Sequence, residues 1–424
     1  MLIHSAAQLL TLSGPPQRGS TLGALSMISD GALLIEGEKI RAVASSKELL
    51  SKYPDEPQLD ASGKVVLPGF VDPHTHAVWS GDRAAEFELK LEGKSYLEIL
   101  KSGGGIISTV RATRQASSAE LFRQTKERLR RAFAHGTTTV EAKTGYGLDT
   151  ETELRLLGVL LQLDDEGPWD IAPTFLGAHA IPPEFKDDPE GYTGHLCEVM
   201  LPALAAWWQA HGGRRPLPFV DVFCETGAFD LEQSRQILSR AREMGFPLKV
   251  HADEFDRLGG TSLAVSLGAA SADHLVKTSE ADIQALGRSD TVAVGLPGTP
   301  FGLAEKEYTP ARAILAADGI LALASDLNPG TTWCENLQTT IAIACRYMKI
   351  TPAQAIAAAT VNAAAAIQRQ DRIGTLEAEK QADILILDVP DYRHLGYRYG
   401  GNLVDTVIKK GAVYPIAAPL TEPR

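Results

Sequence analysis

The 424-residue chain lacks the features that mark secreted and membrane proteins. Its four cysteines, at positions 197, 224, 334 and 345, form no Cys-x-x-Cys pair, which argues against a disulfide framework or a thiolate metal site and favours a reducing compartment. No stretch approaches about 18 consecutive apolar residues, and the N-terminus has no charged start followed by an apolar run. We therefore expect a cytoplasmic protein that does not associate with membranes.

Clustered positive charge is also missing. Lys and Arg number 41 against 53 Asp and Glu, so the net charge is -12, and no block of basic residues offers a surface for nucleic acid. The 44% hydrophobic content is sufficient for a large core. We expect a globular protein that acts on a small molecule. The sequence does not determine the oligomeric state, and a homodimer stays among the alternatives.

Hydrophobic patterning predicts an α/β protein. From residue 68 to 369, strand-like runs alternate with amphipathic helical stretches, as in a TIM-like (β/α)8 barrel. The expected barrel strands are Gly69–Pro73, Thr137–Ala142, Ile171–Gly177, Val220–Cys224, Leu248–Ala252, Ala272–Leu275, Val292–Leu296 and Leu321–Ser325. Short β-like runs in residues 1–67 and 370–424 predict that the two ends of the chain together form a small β-sandwich domain. The runs in the N-terminal segment are Ala32–Ile40, Ile40–Ala44 and Lys64–Leu67.

The segment Pro68-Gly69-Phe70-Val71-Asp72-Pro73-His74-Thr75-His76 is a hydrophobic strand that ends in two histidines. In an extended chain, the spacing i, i+2 places both imidazoles on one side, where they can hold one metal ion. Such a pair alone is weak evidence. However, five of the ten histidines fall at expected C-terminal strand ends, where TIM barrels carry their active sites. These five are His74, His76, His179, His251 and His274.

The histidine strand and its flanks resemble the opening metal strand of the amidohydrolase superfamily. The stretches Gly81–Phe87 and Ser102–Arg114, with Tyr96 between them, are further similar to the imidazolonepropionase family. Matching segments run from about Pro68 to about Val407. The resemblance implies a metal-dependent hydrolase that acts on a C–N bond of a cyclic amide. It would open 4-imidazolone-5-propanoate to N-formimidoyl-L-glutamate in histidine degradation.

The same resemblance implies the metal ligands His74, His76, His251 and Asp326. Nitrogen and carboxylate ligands suit Zn2+ or Fe2+/Fe3+, and we expect one ion per chain that activates a water molecule. Two-metal relatives carry a carboxylated lysine after strand four, where this chain has Cys224-Glu225. Glu225 keeps a binuclear site as a minority alternative, and Lys143 is expected to be structural, paired with a carboxylate.

Catalytic and substrate-binding roles are implied residue by residue. His274 and Glu254 are expected to move the proton, and the metal with His179 to stabilise the oxyanion. Arg83 is expected to grip the propionate, although taken alone it would be a surface ion pair. The expected substrate-binding residues are Arg83, Tyr96, Tyr146, His179, Glu254, Asn328, Gly330 and Thr331.

Two other functions compete with this interpretation. Another amidohydrolase, such as an aminoimidazole, cytosine or guanine deaminase, would share the metal strand and the histidine of strand six, but its substrate would usually lack a carboxylate for Arg83. A non-catalytic barrel that binds a metal or ligand would be expected to have lost some of the metal or proton-transfer residues. Here all of those positions are filled.

Overall fold

The computed structural model describes residues 1–93 and 104–416. Its strands form two separate sheets of eight strands each. The strands are β1 Leu2–Leu10, β2 Met27–Glu36, β3 Lys39–Ser45, β4 Gln58–Asp60, β5 Val65–Pro68, β6 Phe70–Asp72, β7 Thr137–Lys143, β8 Asp170–Ala178, β9 Phe219–Cys224, β10 Lys249–Ala252, β11 Ser271–His274, β12 Val292–Gly295, β13 Leu321–Leu323, β14 Ile384–Leu387, β15 Val404–Lys409 and β16 Ala412–Pro415.

The helices of the described residues lie mainly between the strands of the second sheet. They are α1 Ser46–Lys52, α2 Ala84–Leu91, α3 Ile106–Gln115, α4 Ser118–Ala134, α5 Thr150–Glu166, α6 Pro189–His195, α7 Leu201–His211, α8 Leu231–Glu243, α9 Gly260–Leu267, α10 Glu280–Gly287, α11 Gly298–Gly302, α12 Ala311–Ala316, α13 Leu337–Tyr347, α14 Pro352–Ala358, α15 Val361–Ala366 and α16 His394–Tyr397. None of these helices is long and apolar enough to cross a bilayer.

The first sheet joins the two ends of the chain. Its order is β16-β15-β14-β5-β1-β2-β3, with β4 also paired to β1. Strand β5 pairs antiparallel with β14, so Val66 lies opposite Ile386 although 320 positions separate them. Lys409 of this sheet forms ion pairs with Asp383 at 2.7 Å and with Asp170, the first residue of β8, at 2.8 Å. The small sheet is thereby fixed to the base of the second sheet.

The second sheet is a barrel of parallel strands. Strands β6 to β13 pair in sequence order, and a parallel bridge between Thr75 and Leu327 joins the two edges of the sheet. Side chains on these strands are almost all buried, because helices cover the outside and the interior is filled. The predicted fold class, an α/β barrel with a sheet from both termini, is confirmed. All eight predicted barrel strands overlap observed strands.

Two details of the terminal segments differ from the sequence-based prediction. The run expected as one strand from Ala32 to Ile40 is a hairpin, because a turn with Gly37 at φ +59° separates β2 from β3. Strand β1 received no separate prediction, although it pairs with β2, β4 and β5. Its sequence mixes buried and half-buried positions without strict alternation, so it gives little periodic signal.

Candidate active site

The residues expected to bind a metal meet at the carboxyl end of the barrel. His74 and His76 follow β6, His251 lies in β10, His274 ends β11, and Asp326 follows β13. The carboxyl ends of parallel strands share one rim of a barrel, so residues distant in sequence converge there. The His74 ring centroid is 4.5 Å from that of His251 and 5.4 Å from that of His274. The Asp326 Oδ1 atom is 3.6 Å from Nε2 of both His74 and His76.

The backbone that closes the barrel also sets the positions of these side chains. The amide of Asp326 donates to the His74 carbonyl at 3.1 Å, and the amide of His76 donates to the Leu327 carbonyl at 2.9 Å. Asp326 has φ +54° and His274 has φ +79°, which are strained values for residues with a Cβ. The chain therefore turns sharply at these two strand ends.

The buried polar atoms in this rim suit a metal ion. Within residues 1–93 and 104–416, His74 Nε2 and Asp326 Oδ1 are buried without a hydrogen-bond partner. His76 Nε2 lies 3.3 Å from His251 Nε2, so these two ring nitrogens are close enough to bind one cation. Two overlapping groups could hold an ion, His74 with His251 and His274, or His74 with His76 and Asp326.

The protonation states also suit ligation. Burial, reinforced by the charge of Lys143, lowers the pKa of His74 well below its usual value, and burial with neighbouring His179 does the same for His76. Neutral imidazole is the form that binds metals. Burial raises the pKa of Asp326 to about 6, with a hydrogen bond from Thr299 acting in the opposite direction. A cation would hold this carboxyl in its ionised form.

Beneath the site lies a layer of fully buried charged side chains that sequence reasoning did not assign to it. Asp273 Oδ2 is 2.6 Å from His74 Nδ1, and Asp221 Oδ2 is 3.0 Å from His251 Nδ1. Each carboxylate thus faces the second nitrogen of an expected metal ligand, which fixes the orientation of the ring. The sequence did contain a signal for this layer, because a charged residue such as Asp221 interrupts the otherwise apolar strand Phe219–Cys224.

Lys143 lies in the same layer. Its Nζ atom is 2.8 Å from Glu141 Oε1 and 2.9 Å from Asp221 Oδ2, and all three side chains are fully buried. Burial opposes its charge, but the negative charges of Asp221, Glu141 and Asp273 together raise the pKa of Lys143. The lysine is therefore a permanent cation paired with carboxylates, as the sequence led us to expect.

Glu254 and His274 form a second pair beside this centre. His274 Nε2 is 3.5 Å from Glu254 Oε2. Burial and the negative charges of Asp326 and Glu225 raise the pKa of Glu254 well above its usual value, and burial lowers the pKa of His274. Glu225 accepts backbone N–H groups from Thr226 at 2.9 Å and Phe255 at 2.9 Å. A third comes from Asp256 at 3.1 Å, so Glu225 holds the turn that carries Glu254.

Tyr146 and His179 border the histidine cluster. The His179 ring stacks on His76 with centroids 4.8 Å apart and planes 18° apart, and the Tyr146 ring is 5.2 Å from His179. Nδ1 of His179 is 2.9 Å from the Gly145 carbonyl oxygen. Burial, followed by the charge of His251, lowers the pKa of His179 to about 3.

Arg83 lies near the loop after β13. Its Nε donates to Glu86 at 2.8 Å, and Glu86 also accepts from the amide of Gly105 and the hydroxyl of Ser108, both at 3.0 Å. Only 12% of the Arg83 side chain is exposed. A Cβ added to Gly330 would overlap Arg83 Nη1, so the missing side chain of Gly330 makes room for the guanidinium.

The loop after β13 is shaped by the side chain of Asn328. Its Nδ2 donates to the Asp326 carbonyl at 2.7 Å, and its Oδ1 accepts the amides of Gly330 and Thr331, both at 2.8 Å. The predicted residues Asn328, Gly330 and Thr331 are therefore brought to the same side of the rim as Arg83. Tyr96 lies outside the described residues.

Comparisons with known proteins agree with this geometry. Residues 224–413 match a model of the amidohydrolase family. Imidazolonepropionase of Herpetosiphon aurantiacus is 52% identical over 413 residues, which cover 97% of this chain and 96% of the relative. The Chloroflexus aggregans protein of the same name is 46% identical over 97% of this chain and 98% of its own length.

Solved structures show the same fold at low sequence identity. Guanine deaminase of E. coli superposes with a TM-score of 0.73 at 14% identity, over 98% of this chain and 99% of its own. An adenosine deaminase from Xanthomonas campestris, solved with bound zinc, gives a TM-score of 0.71 at 18% identity, over 97% of this chain and 92% of its own. The structures establish the fold, whereas the full-length relatives establish the family. The chain belongs to the imidazolonepropionase family of the amidohydrolase superfamily.

Proposed function

We propose that this hydrolase opens 4-imidazolone-5-propanoate at its ring amide and releases N-formimidoyl-L-glutamate in histidine degradation. Water adds to the ring carbonyl carbon, the C–N bond breaks, and the released nitrogen takes up a proton. One observation carries the proposal. The buried cluster of His74, His76, His251 and Asp326 lies in one barrel rim with a shielded arginine, in a chain 52% identical to a named imidazolonepropionase.

His74, His76, His251 and Asp326 would hold one ion, either Zn2+ or iron. When bound, such an ion supplies a water whose pKa is lowered to about 7. The unpartnered atoms His74 Nε2 and Asp326 Oδ1 support this assignment. A single ion is supported by Glu225, which accepts three backbone N–H groups, and by Lys143, whose ammonium group is paired with two carboxylates.

Glu254 and His274 would move the proton. A neutral His274 can take a proton from the attacking water, and a protonated Glu254 can give one to the leaving nitrogen. The opposite pKa directions of the two groups support this division, because burial favours the neutral form of each. Their separation of 3.5 Å would let them exchange a proton between turnovers.

Arg83 would bind the propionate. Glu86 accepts from Nε of Arg83, and within residues 1–93 and 104–416 the two terminal nitrogens stay available for a pair of parallel hydrogen bonds with a carboxylate. Tyr146 would contact the ring, and Tyr96 is expected to support the propionate. The loop of Asn328, Gly330 and Thr331 would contact the opened product. His179 would contact the ring of the substrate, and its stacking on His76 supports this role.

We further propose that the enzyme acts in the cytoplasm, since all four of its cysteines are free thiols. A homodimer stays a proposal. Neither the cellular location nor a dimer affects the proposed hydrolysis, because every residue assigned to the reaction belongs to one chain.

The test is an assay of purified protein after metal analysis. With about one equivalent of zinc or iron bound, we expect 4-imidazolone-5-propanoate to lose its ultraviolet absorbance and N-formimidoyl-L-glutamate to appear. Release of ammonia from an aminoimidazole, cytosine or guanine, without turnover of the imidazolone, would contradict the proposal. That outcome would favour the deaminase alternative, which the names of the full-length relatives do not support.

A further inference from the structure

The loop of residues 144–148 is held by one buried carboxylate. Glu153, in α5, is 0% exposed and accepts the amides of Gly145 at 2.9 Å, Gly147 at 2.7 Å and Leu148 at 2.8 Å. Burial raises the pKa of Glu153, and its hydrogen bonds with Thr144 and the loop amides act in the opposite direction. These contacts fix the peptide units around Tyr146.

The carbonyl groups of this loop are engaged as well. Arg114 Nε donates to the Gly147 carbonyl at 2.6 Å. The Tyr192 hydroxyl lies 3.1 Å from the Leu148 carbonyl oxygen and 2.8 Å from that of Gly177. The Gly145 carbonyl faces His179 Nδ1 at 2.9 Å. Gly145 has φ +107°, and an added Cβ would lie 2.9 Å from that nitrogen. Glu153 therefore fixes the position of this carbonyl, and the absence of a side chain at Gly145 leaves room for the His179 ring beside it.

The contact with Gly145 determines which nitrogen of His179 carries the proton. A carbonyl oxygen only accepts hydrogen bonds, so Nδ1 must be the donor. The ring is buried against His76 and 6.1 Å from His251, at the site where a metal cation would bind, so a second positive charge is unfavourable there. A neutral ring with hydrogen on Nδ1 presents a lone pair at Nε2. Within the described residues, the hydrogen bond of this ring is made at Nδ1.

We infer that His179 uses this Nε2 lone pair to accept a hydrogen bond from a ring N–H of the substrate, and that Glu153 is the positioning residue that fixes the tautomer. The substrate part of this inference rests on the proposed function. It differs from the role that the family resemblance implied, since a lone pair repels an oxyanion instead of stabilising it. His179 would then select a ring that carries N–H beside the reacting carbonyl.

The tautomer can be measured without any substrate. In Zn2+-loaded protein labelled with 15N-histidine, long-range 1H–15N spectra distinguish protonated from unprotonated ring nitrogens, and the His179 signals are those missing from His179→Asn. We expect a protonated Nδ1 and an unprotonated Nε2 from about pH 6 to 8. A proton on Nε2, or on both nitrogens, would overturn the inference. Failure of the proposed function would appear separately, as absent turnover with any tautomer.

The role of Glu153 is tested by Glu153→Gln, with Glu151→Gln as the matched control, an exposed glutamate of the same helix. The new amide group would face backbone donors, so we expect mixed His179 tautomers and a roughly tenfold loss of kcat/KM. In a His179→Asn background the further loss should be less than about threefold, because both changes affect one interaction. Unchanged spectra, or fully additive losses, would overturn the assignment of Glu153.

Should Glu153→Gln fail to fold, Gly145→Ala disturbs the same carbonyl without touching the carboxylate and should give the same mixed tautomers. A separate experiment tests whether His179 selects a substrate ring that carries N–H. It uses imidazolones methylated at either ring nitrogen. For one of the two, affinity should fall at least about tenfold in the wild type, and far less in His179→Asn. If both methylated compounds bind as well as the parent compound, the role of the N–H contact is wrong.

Discussion

The two halves of the rim are held in place by different means. His74 and His251 lie at strand ends, and their side chains are oriented by buried carboxylates at 2.6 and 3.0 Å. Tyr146 and Glu254 lie on loops, where glutamates instead accept hydrogen bonds from neighbouring backbone amides. Glu153 accepts from Gly147, and Glu225 accepts from Phe255. Barrel topology is therefore sufficient to bring the expected metal ligands together, whereas the loop residues also need hydrogen bonds that hold their peptide units.

This contrast predicts separable defects. Changes beneath the histidines should alter metal affinity, and changes among the loops should alter substrate binding while metal content stays constant. If changes beneath the histidines and changes among the loops altered metal affinity and substrate binding alike, this distinction between the two halves would be wrong.

The largest effect is expected from removing a ligand. Asp326→Ala deletes the carboxylate whose Oδ1 faces both His74 and His76. We expect loss of bound metal and a fall in kcat/KM of roughly a thousandfold or more, because the activated water is lost. Metal analysis and kinetics on the same sample check this. Full metal content with near-normal activity would remove Asp326 from the ligand set.

A smaller effect on the same half is expected from Asp273→Asn, which places an amide against His74 Nδ1 and leaves Lys143 and Lys249 less compensated. Metal affinity should fall by roughly 10–100-fold, as measured by competition with a chelator. Asp187→Asn serves as control, since its side chain is 89% exposed. Equal affinities for the two variants would show that the buried layer does not support the metal site.

On the substrate half, Arg83→Ala should raise KM by roughly 10–100-fold with metal content unchanged, because a carboxylate loses its bidentate partner. Arg123→Ala is the matched control, because Arg123 forms a similar i, i+3 ion pair with Glu120 on the exposed surface. An unchanged KM would exclude Arg83 from binding the propionate.

The smallest effect should come from Gly330→Ala. The added methyl group would displace only the flexible end of Arg83, so we expect KM to rise a few-fold, by less than in Arg83→Ala. Gly194→Ala, where an added Cβ meets no neighbour within 4 Å, should leave KM unchanged. A larger rise in KM for Gly330→Ala than for Arg83→Ala would indicate that the glycine contacts the substrate itself.

Much of the rim could be predicted from the sequence because barrel strands are short and apolar and because their ends carry the polar residues. His74, His251, His274 and Asp326 were each identifiable by following one strand to its end. The glutamates that hold the loops in place, Glu153 and Glu225, were harder to predict. Glu153 resembles any other glutamate of a helix, since nothing in its neighbours reveals that it faces inward toward the loop before it.

The sequence was sufficient to predict the order of the barrel strands, a site at one end of the barrel, and the family. Local patterning is sufficient for these, because periodicity and strand-end residues are properties of short segments. The tertiary structure was needed to show that Asp273 faces His74 and that Asp221 faces His251. It was also needed to show that Glu225 accepts three backbone N–H groups and that the Gly145 carbonyl faces Nδ1 of His179. Those facts depend on distances between segments far apart in the chain, which are set only once the barrel closes.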